Sequence, residues 1–263
     1  MILERLWPAN RWRNFHYLIA CEQSGEALAI DPLDWQACLE RVRARGWTLT
    51  HILNTHEHGD HIGGNEPLRA ATGARVLAHA GAAGRLAHLD RGLGEGDRIR
   101  IGQRVELECL DTPGHTRSHL CLLAHDEVPQ LFCGDTLFNA GAGNCHNGGD
   151  PELLFDTLHR RLARLPEATR IHPGHDYLAR NLAFTLDREP SNAAARRLLA
   201  RVQETDGDAA PITTLADEHS INTFFRLQEP EIIEGLRAVF PTLPKHPDPR
   251  SVFLALRELR NRW

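Results

Sequence analysis

The segment Thr55-His56-Glu57-His58-Gly59-Asp60-His61 constrains this chain more than any other, because it sets four metal-competent side chains within six positions. His56 and His58 lie two apart, so in an extended segment their rings project to one side, and Asp60 and His61 follow as the chain turns toward a helix. One loop can thereby address two cations. Borderline divalent metals accept imidazole nitrogen and carboxylate oxygen, and a catalytic centre keeps a position open for water. A single histidine here would be most simply a solvated side chain. Four such groups together, followed by Gly63-Gly64, point to a metal centre.

Three later turns extend the set. Asp111-Thr112-Pro113-Gly114-His115 ends a predicted strand and exposes His115; Cys133-Gly134-Asp135-Thr136 presents Asp135; Pro173-Gly174-His175-Asp176 presents His175. Each alone could be a turn in which Gly and Asp answer backbone demands. Together they bring the donor count to what two cations need.

The rest of the chain supplies a frame for these loops. Phe15 to Cys21 and Ala27 to Ile30, the second closing at Asp31-Pro32, predict two paired strands, followed by a helix from Trp35 to Arg45. Leu49 to Asn54 predicts a buried strand that delivers its C-terminal end to the histidine loop, a usual place for a site in an α/β protein. Further strands are predicted at Arg75 to Ala78, Arg98 to Ile101, Arg104 to Leu110, His119 to Leu123 and Gln130 to Cys133. Asp150-Pro151 provides an N-cap and an N1 proline for a helix through about Leu165. After Tyr177 the pattern turns helical: Asn181 to Glu189, Ala193 to Glu204, Glu229 to Phe240 and Pro249 to Arg262. The expected organisation is a mixed α/β portion over residues 1–177 and a helical region over residues 178–263.

Composition narrows the functional classes. A net charge of -5 offers no general attraction to a phosphate backbone, which argues against a nucleic-acid partner. No run approaches the ~18 apolar residues of a membrane span, and Met1 to Arg5 lacks the basic-then-apolar order of a signal peptide. The cytoplasm is the expected compartment. The six cysteines are scattered without a CxxC pair and are expected to be buried free thiols. The sequence specifies no oligomeric state.

The His56, His58, Asp60, His61 pattern resembles the HxHxDH signature of the metallo-β-lactamase superfamily. Within it, the chain looks most like the glyoxalase II family of hydroxyacylglutathione hydrolases. The resemblance runs through THEHGDHIGGN, TPGHT at Thr112 to Thr116, GDTLF at Gly134 to Phe138, PGHDY at Pro173 to Tyr177 and the terminal VFLALRELRNRW. It implies an α/β fold, the αββα sandwich of the superfamily with a smaller C-terminal helical domain, in which residues 1–177 would be the catalytic domain and residues 178–263 the substrate-binding region. It also implies two divalent metal ions, zinc foremost, with iron or manganese compatible with the same donors. His56, His58 and His115 would hold one, Asp60, His61 and His175 the other, and Asp135 would bridge them. The implied reaction is hydrolysis of S-D-lactoylglutathione to D-lactate and glutathione, with Arg257, Arg260 and Tyr177 contacting the glutathionyl group. Arg257 and Arg260 also suit a helix C-terminus, where cations complement the dipole.

The chain departs from the family after GDTLF. Where these enzymes commonly carry a basic residue followed two later by an aromatic, it has Asn144, Cys145 and His146, so that His146 would replace part of that contact. The Gly- and Asn-rich stretch from Asn144 to Asp150 suits a loop or a contact surface equally. Two cations sharing a water would lower its pKa toward neutrality, and Asp60 would orient it. A mononuclear iron persulfide dioxygenase acting on glutathione persulfide shares the fold and is the alternative; the long helical tail and the full ligand set argue against it. A non-enzymatic metal-binding or RNA-processing member is a third possibility, against which the acidic charge balance weighs.

Overall fold

Alternation with period two sets the architecture, because neighbouring residues of the central strands enter different cores. The computed structural model describes residues 1–203, 205 and 207–263. Strands β1 (Ile2–Leu6), β2 (His16–Ala20), β3 (Glu26–Ile30), β4 (Thr48–Leu53), β5 (Arg75–His79) and β6 (Arg91–Leu93) form one sheet in that order, antiparallel through β3 and parallel from β3 to β6. Strands β7 (Arg98–Ile101), β8 (Val105–Asp111), β9 (Leu120–Ala124) and β10 (Gln130–Gly134) form a second. A small hairpin follows, β11 (Leu137–Phe138) with β12 (Gly141–Ala142), and β13 (Arg170–Pro173) then completes the second sheet by pairing parallel to β10.

Tyr17, Ile19, Leu28 and Ile30 of the first sheet meet Ile99, Leu107, Leu122 and Phe132 of the second in a shared core. Their neighbours Leu18, Ala20, Ala27 and Ala29 face outward, against Cys38, Leu39 and Val42 of helix α1 (Trp35–Ala44). The short α2 (Gly59–Ile62) leads into α3 (Asn65–Thr72), whose Leu68 joins the same layer. On the far side, Cys121, Leu123, Leu131 and Cys133 pack against Leu154 and Phe155 of α4 (Pro151–Asp156). Each such buried large apolar side chain contributes ~1.5–3 kcal/mol. The layers are therefore helix, sheet, sheet, helix, the αββα sandwich expected from the sequence.

Beyond α4 come α5 (Leu178–Arg188), α6 (Ala193–Val202), α7 (Leu215–Ile221), α8 (Pro230–Val239) and α9 (Pro249–Arg262). Ile232, Leu236, Val252, Phe253 and Leu256 of α8 and α9 join the core around α4, with the Phe253 ring 5.5 Å from that of Phe155. The helical tail thus shares a core with the second sheet. Of the predicted helix ending at Glu204, residues through Val202 are helical, and Glu204 lies outside the described residues. The helix expected from Pro151 to about Leu165 is helical through Arg164, but only Pro151–Asp156 (α4) is α-type; it continues as a wide π-type turn over Thr157–Arg161 and a 3-10 turn over Leu162–Arg164. At the junction Thr157 Oγ1 donates to Pro113 O at 2.7 Å, tying the irregular turn to the loop that carries His115. β1, β6 and α7 carry too short or too mixed a pattern to be read from sequence. All six cysteines are free, five of them buried. Among the described residues no helix is long and apolar enough to cross a membrane.

Glu218 of α7 ties the helical tail to the β11–β12 turn. Its carboxylate is fully buried and accepts from Ala140 N, Thr213 Oγ1 and Asn222 Nδ2, at 2.9, 2.6 and 2.8 Å, with Ala140 held at φ 57°. Burial raises its pKa from 4.5 to about 7, against the opposing pull of those donors. The folded state therefore keeps this proton longer than the unfolded chain does, and the group's contribution to stability is lost as pH rises from 4.5 through about 7. Relative to Glu218→Ala, the wild-type chain is expected to lose about 3 kcal/mol across that window. Urea midpoints of both proteins from pH 4.5 to 8 check this; a pH-independent difference would contradict it.

Candidate metal centre

All the loops singled out by sequence emerge at one end of the sandwich. β4 delivers His56 and His58, α2 carries Asp60 and His61, β8 leads to His115, β10 to Asp135 and β13 to His175. Gly134 sits at φ 45°, and a Cβ there would lie 2.4 Å from Thr55 Oγ1. At Gly174 a Cβ would lie 2.4 Å from Asp135 Oδ1. Only glycine lets these strand ends close on one another.

Among the described residues, three donor groups have ligand atoms within 4.8 Å of one another: His56, His58, His115; His56, His61, Asp135; and Asp60, His61, His175. Asp135 lies between the two outer groups, its Oδ2 3.6 Å from His115 Nε2 and 3.2 Å from His175 Nε2, and its Oδ1 3.5 Å from His61 Nε2. The structure brings together all seven predicted donors.

The outward nitrogens of the rings fix which way their lone pairs point. His115 Nδ1 donates to Asn144 O at 2.6 Å, His175 Nδ1 to Trp12 O at 2.8 Å, His58 Nε2 to Asn147 O at 3.1 Å and His61 Nδ1 to Asp31 Oδ2 at 2.9 Å. Thr55 Oγ1 donates to Asp31 Oδ2 at 2.7 Å and so accepts from His56 Nδ1 at 3.1 Å. In the neutral rings the inward nitrogens then carry the lone pairs, yet His58 Nδ1 stands 3.1 Å from His56 Nε2 and 3.0 Å from His115 Nε2, and the His61 and His175 Nε2 atoms stand 3.2 Å apart. Asp135 Oδ1 is buried without a hydrogen-bond partner. Facing lone pairs and an orphaned carboxylate oxygen repel one another unless positive charge lies among them. The donor set fits divalent cations.

Protonation follows the same geometry. Burial holds His56 well below its ordinary pKa and lowers His115 to about 4, so both remain neutral imidazoles near pH 7. For His61 burial works in the same direction, but Asp135 and Asp31 outweigh it and raise the pKa. Burial would raise Asp135, but His175 and His61 overcome it and keep the group a carboxylate. The position that draws a proton onto His61 is one a cation takes in its place.

Sequence reading passed over Asp31 and His119. Asp31, at φ 49°, accepts from Thr55 N at 2.8 Å as well as from Thr55 Oγ1 and His61. His119 stacks on His56 with centroids 5.1 Å apart, and its Nε2 accepts from Asp135 N at 3.3 Å. Asp31-Pro32 looked like a strand end and His119 like the start of a strand, so neither carried a signal of its own.

Beside the centre lies a groove of about 280 Å³ walled by Tyr177, Arg257, Arg260, His146 and Asn144. Tyr177 stacks on His175, centroids 4.9 Å apart and planes 3° apart, and its hydroxyl donates to Trp12 O at 3.2 Å. Arg257 is buried and donates through Nη1 to Ala142 O and Gly143 O, at 2.8 and 2.9 Å. Arg260 Nη2 donates to Asn181 Oδ1 at 3.3 Å, and His146 is exposed. The Asn144 to Asp150 stretch, left open between loop and contact surface, supplies through the carbonyls of Asn144 and Asn147 the anchors of two ligand rings.

Residues 17–175 match the metallo-beta-lactamase superfamily, and residues 176–263 match the hydroxyacylglutathione hydrolase C-terminus. The chain is 58% identical, over 100% of its length and 100% of theirs, to hydroxyacylglutathione hydrolases of Nitrosococcus oceani and of a Polaromonas species. Among solved structures it is similar to ETHE1 from Myxococcus xanthus, at 28% identity and a TM-score of 0.69, covering 99% of this chain and 98% of that one. It is also similar to TTHA1623 in a di-iron-bound form, at 27% identity and a TM-score of 0.61, covering 85% and 100% respectively. With a matching sandwich, a matching helical tail and full-length relatives of one name, the chain belongs to the hydroxyacylglutathione hydrolases of the metallo-beta-lactamase superfamily.

Proposed function

We propose that the chain hydrolyses the thioester of S-(2-hydroxyacyl)glutathione, with S-D-lactoylglutathione giving D-lactate and glutathione as the reference reaction. The observation that carries this is the inward convergence of seven imidazole and carboxylate donors in a chain so similar, over its whole length, to hydroxyacylglutathione hydrolases. In this reading His56, His58 and His115 hold one cation, Asp60, His61 and His175 the other, and Asp135 lies between them. Zinc suits the imidazole and carboxylate donors best, with iron and manganese also compatible. Such a pair supplies a water activated near neutral pH and a Lewis acid for the thioester carbonyl.

The chain's own residues orient the reaction. Asp31 fixes His61 through Nδ1, and the carbonyls of Asn144 and Asn147 fix His115 and His58. The Asp60 side chain, 23% exposed, is more open than that of Asp135, 10% exposed; its role in this reading is to orient the attacking water. The departing thiolate is a good leaving group at neutral pH, so no separate general acid is demanded. Arg257, Arg260, Tyr177 and His146 receive the glutathionyl group in the adjoining groove. Residues 1–177 form the catalytic domain and residues 178–263 the substrate-binding region. The partner is a small thioester rather than nucleic acid or membrane, and six free thiols agree with a reducing cytoplasm.

The deciding experiment is a steady-state assay of the metal-loaded protein on S-D-lactoylglutathione, run beside oxygen uptake with glutathione persulfide. Thioester cleavage that chelation abolishes is expected; oxygen uptake without cleavage would favour an iron dioxygenase instead. Asp60→Asn should lower kcat by roughly 100-fold while both metals are retained; full activity with full metal content would remove its assigned role. Asp31→Ala frees the His61 ring and is expected to weaken the second cation's binding by roughly 10–100-fold. Metal titration followed by dialysis measures that loss, and an unchanged affinity would mean that the ring is held by other means.

A further inference from the structure

The groove beside the metal centre contains a third arginine besides Arg257 and Arg260. We propose that Arg180 binds a carboxylate of the glutathionyl carrier and thereby sets selectivity for that carrier over uncharged thiols. This deepens the proposed function and rests on it.

Arg180 lies in the first turn of α5, three residues after Tyr177 and five after His175, and is exposed. It lines the same groove as Arg257 and Arg260, and no Asp or Glu lines that groove. The three arginines are not equivalent. Arg257 is buried with Nη1 held by two carbonyls and Nε by Asn261 Oδ1, and Arg260 engages Asn181. Arg180 makes no hydrogen bond or ion pair among the described residues, so its full fork of donors is free for a planar carboxylate.

Its placement also works against local stability. A helix N-terminus favours negative side chains, and the first turn of α5 has no acidic residue while it carries this arginine. Burial, joined by the nearby Arg180 charge, lowers Arg260 to about 10. A residue that breaks a local rule without a compensating partner among the described residues marks a place where a ligand can supply the compensation. Glutathione has two carboxylates against one ammonium at neutral pH, and the groove meets that net negative charge with arginines and no opposing acid.

The test compares kcat/KM for S-D-lactoylglutathione with kcat/KM for S-D-lactoyl-N-acetylcysteamine, whose carrier has no charge, in wild type, Arg180→Ala and Arg180→Lys. The ratio should fall about tenfold in Arg180→Ala, chiefly through KM for the glutathione thioester, and be partly restored in Arg180→Lys. The salt dependence of KM for that substrate should weaken in the alanine variant. An unchanged ratio, or equal losses on both thioesters, would overturn the role of Arg180 while leaving the hydrolase reading intact. A wild-type enzyme active on the uncharged thioester alone would sink the glutathione carrier itself, and this inference with it.

Discussion

The carboxylate of Asp31 is the contact on which the geometry of the centre rests. It takes Thr55 N, Thr55 Oγ1 and His61 Nδ1 together, at 2.8, 2.7 and 2.9 Å, at the end of β3 beside the end of β4. By occupying the threonine hydroxyl proton it turns that oxygen into an acceptor for His56, so one carboxylate sets the tautomer of two rings, one in each of the two outer donor groups. Its own backbone, at φ 49°, is held by the parallel pairing of β3 with β4 and by Asp31 N donating to Leu53 O. The burial of two sheets against each other thus supports an arrangement in which several lone pairs face inward. Without that framework the rings would turn away from one another.

The helical tail is joined to this centre through the β11–β12 turn. Arg257 of α9 holds the carbonyls of Ala142 and Gly143, Glu218 of α7 holds Ala140 N, and Asn144 next along the chain accepts from His115. One wall therefore lines the groove on one face and orients a donor ring on the other. This accounts for the departure at Asn144 and His146. The interactions that orient His115 and His58 use main-chain carbonyls, so side chains in that loop can change without altering the donors.

Much of this was legible because the chemistry of the ligands has a spacing. The HxHxDH run and three glycine-preceded turns identified seven donors, and the structure brings all seven together. The sandwich was expected from the family resemblance alone: β2, β3, β9 and β10 are apolar on both faces because they alternate between two cores, so their own pattern does not name the layers. Asp31 and His119 were hidden because their roles depend on which strand ends lie side by side, a long-range fact that no local pattern carries. Arg180 was hidden for the opposite reason: an exposed arginine in an amphipathic helix looks like ordinary solvation. The helix after Asp150 has the expected length, but its change of winding after Asp156 was hidden, since it coincides with the Thr157 contact to Pro113, 44 residues away in sequence.

The division of work in the chain has a chemical logic. Hydrolysis needs a rigid, charge-compensated centre, and rigidity comes from strand ends, whose positions are fixed by pairing on several sides. Recognition of a flexible, charged carrier needs long cationic side chains with free donors, which helix surfaces present more easily than packed strands. Arg257 stands between the two regimes: buried enough to hold the β12 turn, and close enough to the groove to contribute charge there. The cost of burying that guanidinium, which lowers its pKa to about 10, is offset by two carbonyl acceptors and by the ring of Phe224 at 5.2 Å. In the proposed reading, carrier choice can therefore vary through groove residues such as Asn144, His146 and Arg180, none of them among the seven donors, while the reaction class stays fixed by the strand ends.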